Sequence, residues 1–578
     1  MKKFFLLSLL GLFYGFAQAQ SGDWRTKFEL SKGTETVTYA EGIAYFERLA
    51  AAYPEIKIFT YGTTDFGLPL HLVVFDLSQR FDPQQARQQG KNIVLINNAI
   101  HPGEPDGVEA SMLLLREAAT NAKMKKNLEN TVLAIIPFYN IGGVHQRGAF
   151  SRVNQKGPQE YGFRGNAKNY DLNRDFIKTD SQNMRAFATI FQYWQPDVFV
   201  DNHVTNGADY QHVLTYLATQ PDKLGGSLGQ YLRQSMIPAL EKAMQARKFP
   251  MCPYVNVFGQ SPDKGYPGFL DSPRYSSGYA ALFATIGFVV ETHMLKPYAQ
   301  RVEATKQFME ALLVYLQKEG KTLQALRRQQ QAEIAAQKQF AVEWQQVPER
   351  HRLIDFLGYE AVTQESRLTG QPRRYYDRSR PFRKQVPFFE YFEAKHSVEA
   401  PQAYIIPKAW REVIALLRLN GVQMDSLAQD QVLEVEAAYI QSYKSYTQAY
   451  EGHYPHYDTR VRREKQKVQF YKGDWVVQVQ QPAKRYLIEV LEPEATDSFF
   501  NWNFFDTILQ QKEGYSDYVF EDLAEQLLAE NVDLAARFAT RKQEDPEFAK
   551  NHRAQLDFIY TNSPYYEVVH LRYPIFRR

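Results

Sequence analysis

Cysteine is almost absent from this chain, which has 578 residues and a single cysteine, Cys252. An intramolecular disulfide is therefore impossible, and a fold stapled by disulfides is excluded. A chain of this length can bury large hydrophobic cores without such cross-links. Because unpaired cysteines are usually core residues, we expect Cys252 to be a buried structural residue.

An excess of charge of one sign is also missing. The formal net charge is +3, and removing the two lysines of a predicted signal peptide leaves about +1. This balance gives no electrostatic reason to expect binding to nucleic acid or to an anionic membrane surface. We therefore expect neither as a partner.

Long hydrophobic runs are missing after the first residues of the chain. Lys2 and Lys3 precede an apolar stretch over residues 4–17, and small residues at 17 and 19 complete a pattern typical of a secretory signal peptide. The stretch is shorter than the ~20 residues that a membrane-spanning helix needs. We predict a signal peptide over residues 1–19, no membrane span, and an exported protein that is periplasmic or extracellular.

Strand-like and helix-like segments alternate between residues 36 and 320. Short β-branched runs, such as residues 92–96 and 196–200, are followed by segments with helical periodicity, such as 108–119 and 228–244. This alternation predicts an α/β domain with a mixed, largely parallel central sheet flanked by helices. In such sheets a functional site usually lies beyond the carboxyl ends of the strands.

The composition changes after about residue 320. Residues 320–350 are polar and charged, which favours a solvated helix between two domains over a coiled coil. Strand-like runs at 402–406 and 468–479 and a helical run at 409–419 predict a mixed or β-rich second domain. The predicted division is a signal peptide over 1–19, a first domain over 20–325, a helical linker over 326–350 and an accessory domain of unknown role over 351–578.

Three polar motifs stand at the ends of apolar strand-like runs. His101 and Glu104 lie three residues apart after one run, His203 follows a second, and Glu291 ends a third. Two imidazoles, one carboxylate and a separate glutamate are what a zinc hydrolase needs. Taken singly, each motif could equally be a helix cap, a packed histidine or an ion-paired glutamate. Burial at a strand end would raise the pKa of Glu291 and suit it to act as a base.

A fourth motif, Asp171-Leu172-Asn173-Arg174, lies between the first two. The order His-x-x-Glu, Asp-x-Asn-Arg, His and a late Glu resembles the zinc metallocarboxypeptidase family, the carboxypeptidase A-like group. The resemblance covers about half of the chain and leaves the region beyond about residue 330 unexplained. It implies an enzyme with one zinc ion per chain that hydrolyses the C-terminal peptide bond of substrates with a free carboxylate.

The resemblance also implies a role for each residue of the motifs. His101, Glu104 and His203 would bind the zinc ion, and Asp171 would hydrogen-bond the outer nitrogen of His101 and fix its tautomer. Glu291 would be the general base that takes a proton from the attacking water and later delivers it to the leaving amine.

Substrate-binding residues follow from the same resemblance. Asn173 and Arg174 would bind the terminal carboxylate, for which the planar fork of arginine can make two parallel hydrogen bonds. The family uses a mobile tyrosine shortly before the catalytic glutamate, and we favour Tyr275 for this place, with Tyr279 as the alternative.

An arginine should also stabilise the oxyanion of the tetrahedral intermediate. Arg152 is favoured over Arg164, because it lies upstream of the Asp-x-Asn-Arg motif as the family's arginine does. Gly103 is a departure, since many members carry an arginine directly before the ligand glutamate. This departure leaves the family's side-chain preference open.

Two other functions remain alternatives. A zinc amidohydrolase that acts on N-acyl amino acids or cell-wall peptides would carry a looser version of the motif around Gly103. An inactive peptidase-like binding protein would usually have lost a ligand or the glutamate base. The remaining histidines near these motifs are interpreted as packing or hydrogen-bonding residues: His71, His145, His212 and His293.

Overall fold

The computed structural model describes residues 23–578. The predicted signal peptide, residues 1–19, lies outside the described residues. Residues up to about 336 form an α/β layered unit, and a region rich in antiparallel strands follows. The predicted fold class is therefore confirmed. Within residues 23–578, no helix combines the length and apolarity that crossing a membrane would require.

The central sheet has eight strands in the order β1-β2-β4-β3-β5-β9-β6-β7. Its inner strands β4, β3, β5 and β9 are parallel. Strands β1 and β2 pair antiparallel with their neighbours, and β6 is antiparallel to β9 and parallel to β7. The strands are β1 (Ile56–Thr63), β2 (Pro69–Phe75), β3 (Asn92–Asn97), β4 (Thr131–Ile136), β5 (Val198–Thr205), β6 (Leu214–Ala218), β7 (Cys252–Pro253), β8 (Tyr266–Pro267), which joins another sheet, and β9 (Ile286–His293).

Helices cover both faces of this sheet. Successive side chains of a strand point to opposite faces, and Phe199 packs against Phe187 while Phe288 packs against Phe308, each at a ring distance of 5.6 Å. The helices are α1 (Lys27–Leu30), α2 (Tyr39–Ala52), α3 (Pro83–Gln88), α4 (Asp106–Thr120), α5 (Ala122–Asn127), α6 (Ile141–His145), α7 (Gln182–Trp194), α8 (Pro221–Leu224), α9 (Gly226–Tyr231), α10 (Ile237–Ala246), α11 (Ser276–Ala281) and α12 (Tyr298–Ala336).

The sheet order explains where the polar motifs meet. Strands β3, β5 and β9 are adjacent and parallel, so their carboxyl ends reach the same edge of the sheet. All residues of β3 and β5 are buried, which accounts for the apolar runs at residues 93–96 of β3 and 198–200 of β5. Cys252, in β7, is buried as expected.

The predicted helical linker over residues 326–350 is wrong in part. Helix α12 ends at Ala336, and residues 339–346 form a strand. Phe340 and Val342 are buried at alternate positions of that strand, a pattern obscured by the surrounding polar residues. The end of α12 is not a solvated bridge either, because buried Arg327 donates a hydrogen bond to Asp197.

The C-terminal region contains a two-stranded sheet, a three-stranded sheet and a six-stranded sheet. Two long hairpins, β11–β12 and β16–β17, dominate it. Its strands are β10 (Gln339–Gln346), β11 (Arg352–Glu365), β12 (Pro372–Phe389), β13 (Phe392–Glu399), β14 (Ala403–Ile406), β15 (Asp425–Ser426), β16 (Gln431–Ser445), β17 (His456–Phe470), β18 (Trp475–Gln478) and β19 (Phe576–Arg577). Its helices are α13 (Arg411–Leu419), α14 (Lys484–Leu491), α15 (Asp517–Glu530), α16 (Val532–Glu544), α17 (Pro546–Lys550) and α18 (His552–Thr561).

The two parts of the chain share a hydrophobic core. Partly buried Phe283 of the α/β unit stacks on Tyr486 of α14 at a ring distance of 5.6 Å, and Tyr486 belongs to one continuous buried cluster with residues of both parts. Strand β8 also pairs with β12. The boundaries at 20–325 and 351–578 stay predictions, and the packing indicates that the second part is attached closely to the first.

Candidate active site

Two histidines and a glutamate converge at the edge of the sheet. His101 and Glu104 lie on the turn after β3, and His203 lies near the end of β5. The Nδ1 atoms of the two imidazoles are 3.2 Å apart, His203 Nδ1 lies 3.1 Å from one Glu104 oxygen, and His101 Nδ1 lies 3.4 Å from the other. All three side chains are almost fully buried. The structure thus brings together the three residues predicted as metal ligands.

The outer nitrogen of each imidazole is held by a carboxylate. His101 Nε2 lies 2.9 Å from Asp171 Oδ1, and His203 Nε2 lies 3.0 Å from Asp201 Oδ2. The contact of Asp171 was expected, but the contact of Asp201 was missed by the sequence reasoning. The signal was present, because residues two apart on a strand share a face. Asp201 is itself fixed by Asn97, its register partner on β3.

The donor set fits a divalent cation. Because each Nε2–H is donated to a carboxylate, these partners assign the tautomer that leaves the Nδ1 lone pairs facing each other. Two lone pairs at 3.2 Å beside a carboxylate repel one another unless a cation lies between them. Zinc binds nitrogen and oxygen ligands at ~2.0–2.2 Å in a tetrahedron, which separates the ligand atoms by roughly 3.3 Å. The observed separations are close to that value.

The electrostatics of the three residues agree with this interpretation. Burial alone would raise the pKa of the Glu104 carboxyl, but Arg152 and His101 hold it well below its usual range. Burial alone would lower the pKa of His203, but Asp201 and Glu104 raise it well above its usual range. The site therefore concentrates negative charge around a position that favours a cation.

Gly103 is explained by the approach of Arg152. A Cβ atom at Gly103 would lie 2.7 Å from Cδ of Arg152 and 3.2 Å from the carbonyl oxygen of Gly162. The Arg152 guanidinium donates to a Glu104 oxygen and to the carbonyl of Val204, 2.9 Å away. The place that a side chain before Glu104 would take is therefore filled by an arginine from another loop.

Glu291 lies beside the ligand cluster. It is the register partner of His203 on the neighbouring strand β9, and its side chain lines the same cavity. Burial raises the pKa of Glu291 to about 7, against the lowering effect of His203 and with a further contribution from Glu104. A carboxylate with a pKa near neutrality can accept a proton and release it again at physiological pH.

Tyr254 is a site residue that the sequence reasoning missed. It follows β7, lines the cavity, and faces Glu291. Burial, together with the nearby Glu291 carboxylate, raises the pKa of Tyr254 to about 12, so the phenol keeps its proton. Only the pairing of β7 with β6 carries this loop to the site, and no local sequence pattern predicts that pairing.

Asn173, Arg174 and Tyr275 form one wall of the cavity. Asn173 accepts a hydrogen bond from the backbone N–H of Ser276 at 3.3 Å, and the Arg174 guanidinium lies 4.6 Å from the centre of the Tyr275 ring. Burial alone would lower the pKa of Arg174, but Asp171 and the neighbouring phenols raise it. The structure places these three predicted residues together.

Both candidate arginines reach the cavity. Arg152 contacts Glu104 as described, and Arg164 donates from Nε to Asp171 at 2.9 Å while its Nη1 lies 3.7 Å from Glu104. Tyr279, the alternative to Tyr275, is fully buried behind the cavity and donates its hydroxyl to Asn420 at 2.6 Å. Tyr279 is thus a core residue.

The other histidines make ordinary packing or hydrogen-bonding contacts. His293, two residues after Glu291, is fully buried and its Nε2 donates to the carbonyl of Ala208 at 2.8 Å. His212 bonds the backbone of Pro250. His71 lies against Tyr39, and His145 stacks on Phe66.

The site residues enclose a cavity of about 400 Å³. This volume suits a small ligand or the end of a peptide. The ligand cluster, Glu291, Arg174 and Tyr275 line it, and Tyr254, Phe269 and Leu217 contribute apolar surface.

Comparison with known proteins finds a family model that covers the three predicted metal ligands. Residues 43–217 match the zinc carboxypeptidase family model. Carboxypeptidase 2 of Trichophyton equinum is 22% identical over 426 residues, which cover 70% of this chain and 72% of that protein. Among solved structures, a metallo-carboxypeptidase from Burkholderia cenocepacia is 16% identical with a TM-score of 0.36, covering 48% of this chain and 69% of that one. Carboxypeptidase A from Helicoverpa armigera is 14% identical with a TM-score of 0.38, covering 56% and 81%.

The family match confirms the resemblance predicted from the motifs. It spans the His-x-x-Glu pair, the Asp-x-Asn-Arg motif and His203. The predicted class of enzyme, a zinc metallocarboxypeptidase, is confirmed with it. The match ends before Glu291, so the general base is supported by geometry alone.

Proposed function

We propose, from the zinc carboxypeptidase domain that residues 43–217 carry, that the protein removes the C-terminal residue of peptides with a free carboxylate. The observation that supports the proposal is that the His101–Glu104–His203 cluster, Glu291 and Arg174 line one cavity. A scissile carbonyl at the cluster and a carboxylate at Arg174 would place the substrate's last peptide bond between them.

His101, Glu104 and His203 would hold one zinc ion. When bound, zinc supplies a Lewis acid that polarises a carbonyl oxygen and lowers the pKa of water. Asp171 and Asp201 keep the two imidazoles in the tautomer that offers Nδ1 as a ligand atom.

Glu291 would act as the general base. Its carboxylate takes a proton from the attacking water and passes it to the nitrogen of the leaving amine, so that it ends in its starting state. Arg152, with Arg164 as its rival, would stabilise the negative charge that develops on the scissile carbonyl oxygen.

Arg174, Asn173 and Tyr275 would bind the end of the substrate. The Arg174 guanidinium can make two parallel hydrogen bonds to a terminal carboxylate, and stacking against Tyr275 fixes its plane. A substrate with an amidated C-terminus would lose the charge that this arginine binds.

The test uses a matched pair of N-blocked dipeptides, one with a free carboxylate and one with an amide, together with an N-acyl amino acid. Cleavage of the free acid alone is expected, with close to one zinc ion per purified chain. Glu291→Gln should lower kcat by ~10²–10⁴ without changing the zinc content, whereas Glu412→Gln at an exposed position should change neither. Equal cleavage of acid and amide, or preference for the N-acyl amino acid, would contradict the proposal.

We also propose that the protein is exported. Support comes from the composition of residues 1–19, with two lysines, an apolar stretch and small residues before the cleavage point. Amino-terminal sequencing of the protein from the periplasm or the medium should start at residue 20.

A further inference from the structure

A loop of the C-terminal region touches the back of the proposed carboxylate-binding wall. The β16–β17 hairpin turns between Ser445 and His456, and we call residues 446–455 the hairpin tip. Three contacts connect it to residues 170–180: Glu451 with Asp171, His453 with Asp180 at 2.8 Å, and Gly452 against the Tyr170 ring. These partners are more than 270 residues apart in sequence.

Glu451 is bound to the backbone of Asp171. Its Oε2 accepts a hydrogen bond from the Asp171 N–H at 2.7 Å. The side chain of Asp171 reaches His101 at 2.9 Å and the N–H of Asn173 at 2.9 Å. A single carboxylate from the tip therefore fixes the residue from which the Asp171–Arg174 turn starts.

The backbone conformation of Glu451 is unfavourable for a residue with a side chain, which indicates that the contact with Asp171 offsets a conformational cost. Its φ is +51°, in the left-handed region that favours glycine. An L-residue there is strained, because its Cβ atom crowds the backbone. The next residue, Gly452, has φ +81°, and a Cβ atom on it would lie 3.0 Å from the Tyr170 ring. Glycine would suit both positions, yet the first of them carries the carboxylate that binds Asp171.

A second residue of the tip reaches the Tyr275 segment of the wall. The Tyr450 ring centre lies 5.7 Å from the guanidinium carbon of Arg274, the residue before Tyr275. The Tyr275 side of the wall is also supported from the C-terminal region, because Asp497 accepts hydrogen bonds from the backbone and from Nε of Arg274 at 2.9 and 2.7 Å. Both substrate-facing segments of this wall are thus held by residues beyond position 445.

We propose that the hairpin tip, through Glu451, positions the Asp171–Arg174 turn and so sets the affinity of the site for a substrate's terminal carboxylate. The inference rests on the proposed function, and it gives the C-terminal region a part in substrate binding. Glu451 is a positioning residue, since it acts through Asp171.

The test measures binding rather than turnover. In a Glu291→Gln background, isothermal titration compares an N-blocked dipeptide with its C-terminal amide, and the ratio of the two Kd values is the carboxylate discrimination. Glu451→Gly removes the acceptor and relieves the backbone, so the fold is preserved or stabilised. We expect the discrimination to fall about tenfold in Glu451→Gly, the size of one lost hydrogen bond to a charged group.

The conservative variant Glu451→Gln tests whether the hydrogen bond from the Asp171 N–H is the feature that matters. Glu451→Gln keeps an oxygen that can accept from the Asp171 N–H, so its discrimination should stay within about twofold of the background. Glu434→Ala, at an exposed position of the same hairpin, should leave the ratio unchanged. With Glu291 intact, Glu451→Gly should raise KM about tenfold and change kcat less than twofold.

The outcomes distinguish the two proposals. If the Glu291→Gln background already binds acid and amide equally, the proposed function fails and this inference fails with it. If the background discriminates and Glu451→Gly discriminates as well, only this inference is overturned. Equal losses in Glu451→Gln and Glu451→Gly would also overturn it, because a hydrogen-bond acceptor would then not be what matters.

Discussion

The buried carboxyl of Glu109 should make the stability of the protein depend on pH, which can be tested directly. It lies on α4, directly after the His101–Glu104 turn, and is fully buried. One of its oxygens accepts hydrogen bonds from the Val37 N–H at 2.8 Å and the Thr36 hydroxyl at 2.9 Å. The other oxygen has no hydrogen-bond partner among residues 23–578. Burial raises the pKa of Glu109 from 4.5 to about 7, against the lowering effect of these two bonds.

The sign of the effect on stability follows from proton binding. A carboxyl whose pKa is raised in the folded state binds its proton more tightly there than in the unfolded chain. The free energy of unfolding therefore falls as the pH rises from about 4.5 to about 7, and the loss is complete above that range. The difference between 4.5 and about 7 corresponds to about 3 kcal/mol.

Glu109→Gln removes the ionisation and keeps the accepting oxygen. Its unpartnered amide lowers the free energy of unfolding by an amount that does not depend on pH. The pH-dependent part of the difference in free energy therefore reports the ionisation of Glu109. The stability of the variant minus that of the wild type should increase by about 3 kcal/mol between pH 4.5 and pH 8. Urea unfolding followed by tryptophan fluorescence at several pH values measures this difference, with Glu412→Gln as the exposed control. Parallel pH profiles for Glu109→Gln and the wild type would refute the reasoning.

Three further predictions concern the site. Asp201→Asn should weaken zinc binding by ~10–100-fold in competition with a chelator, because His203 loses its fixed tautomer; an unchanged Kd would remove Asp201 from the site. Gly103→Ala should lower kcat/KM at least tenfold, because the added methyl group displaces the Arg152 side chain. In an Arg152→Ala background the same substitution should lower kcat/KM much less. Additive effects of the two substitutions would show that the close approach of Arg152 to Gly103 is irrelevant. Arg174→Lys should raise KM for free-acid dipeptides about tenfold, since one of two parallel hydrogen bonds is lost; an unchanged KM would place the carboxylate elsewhere.

Part of the fold was predictable because local sequence patterns indicate its strands and helices. The buried strands β3 and β5 carry the apolar runs 93–96 and 198–200, and the polar motifs follow those runs. A parallel sheet brings carboxyl ends to one edge whatever the details of packing. The same reasoning failed over residues 326–350, because the polar neighbours of Phe340 and Val342 hide a strand that pairs with β13.

The sequence by itself determined the class of the domain, its layers, and the candidates His101, Glu104, His203 and Glu291. Each of these features is indicated by a pattern of residues that are close together in the sequence. Tertiary structure alone decided that Asp201 holds His203, that Arg152 fills the space at Gly103, and that Glu451 reaches Asp171 from the far hairpin. These contacts depend on which strands pair and on how side chains from distant segments fill one volume, and no local periodicity encodes either.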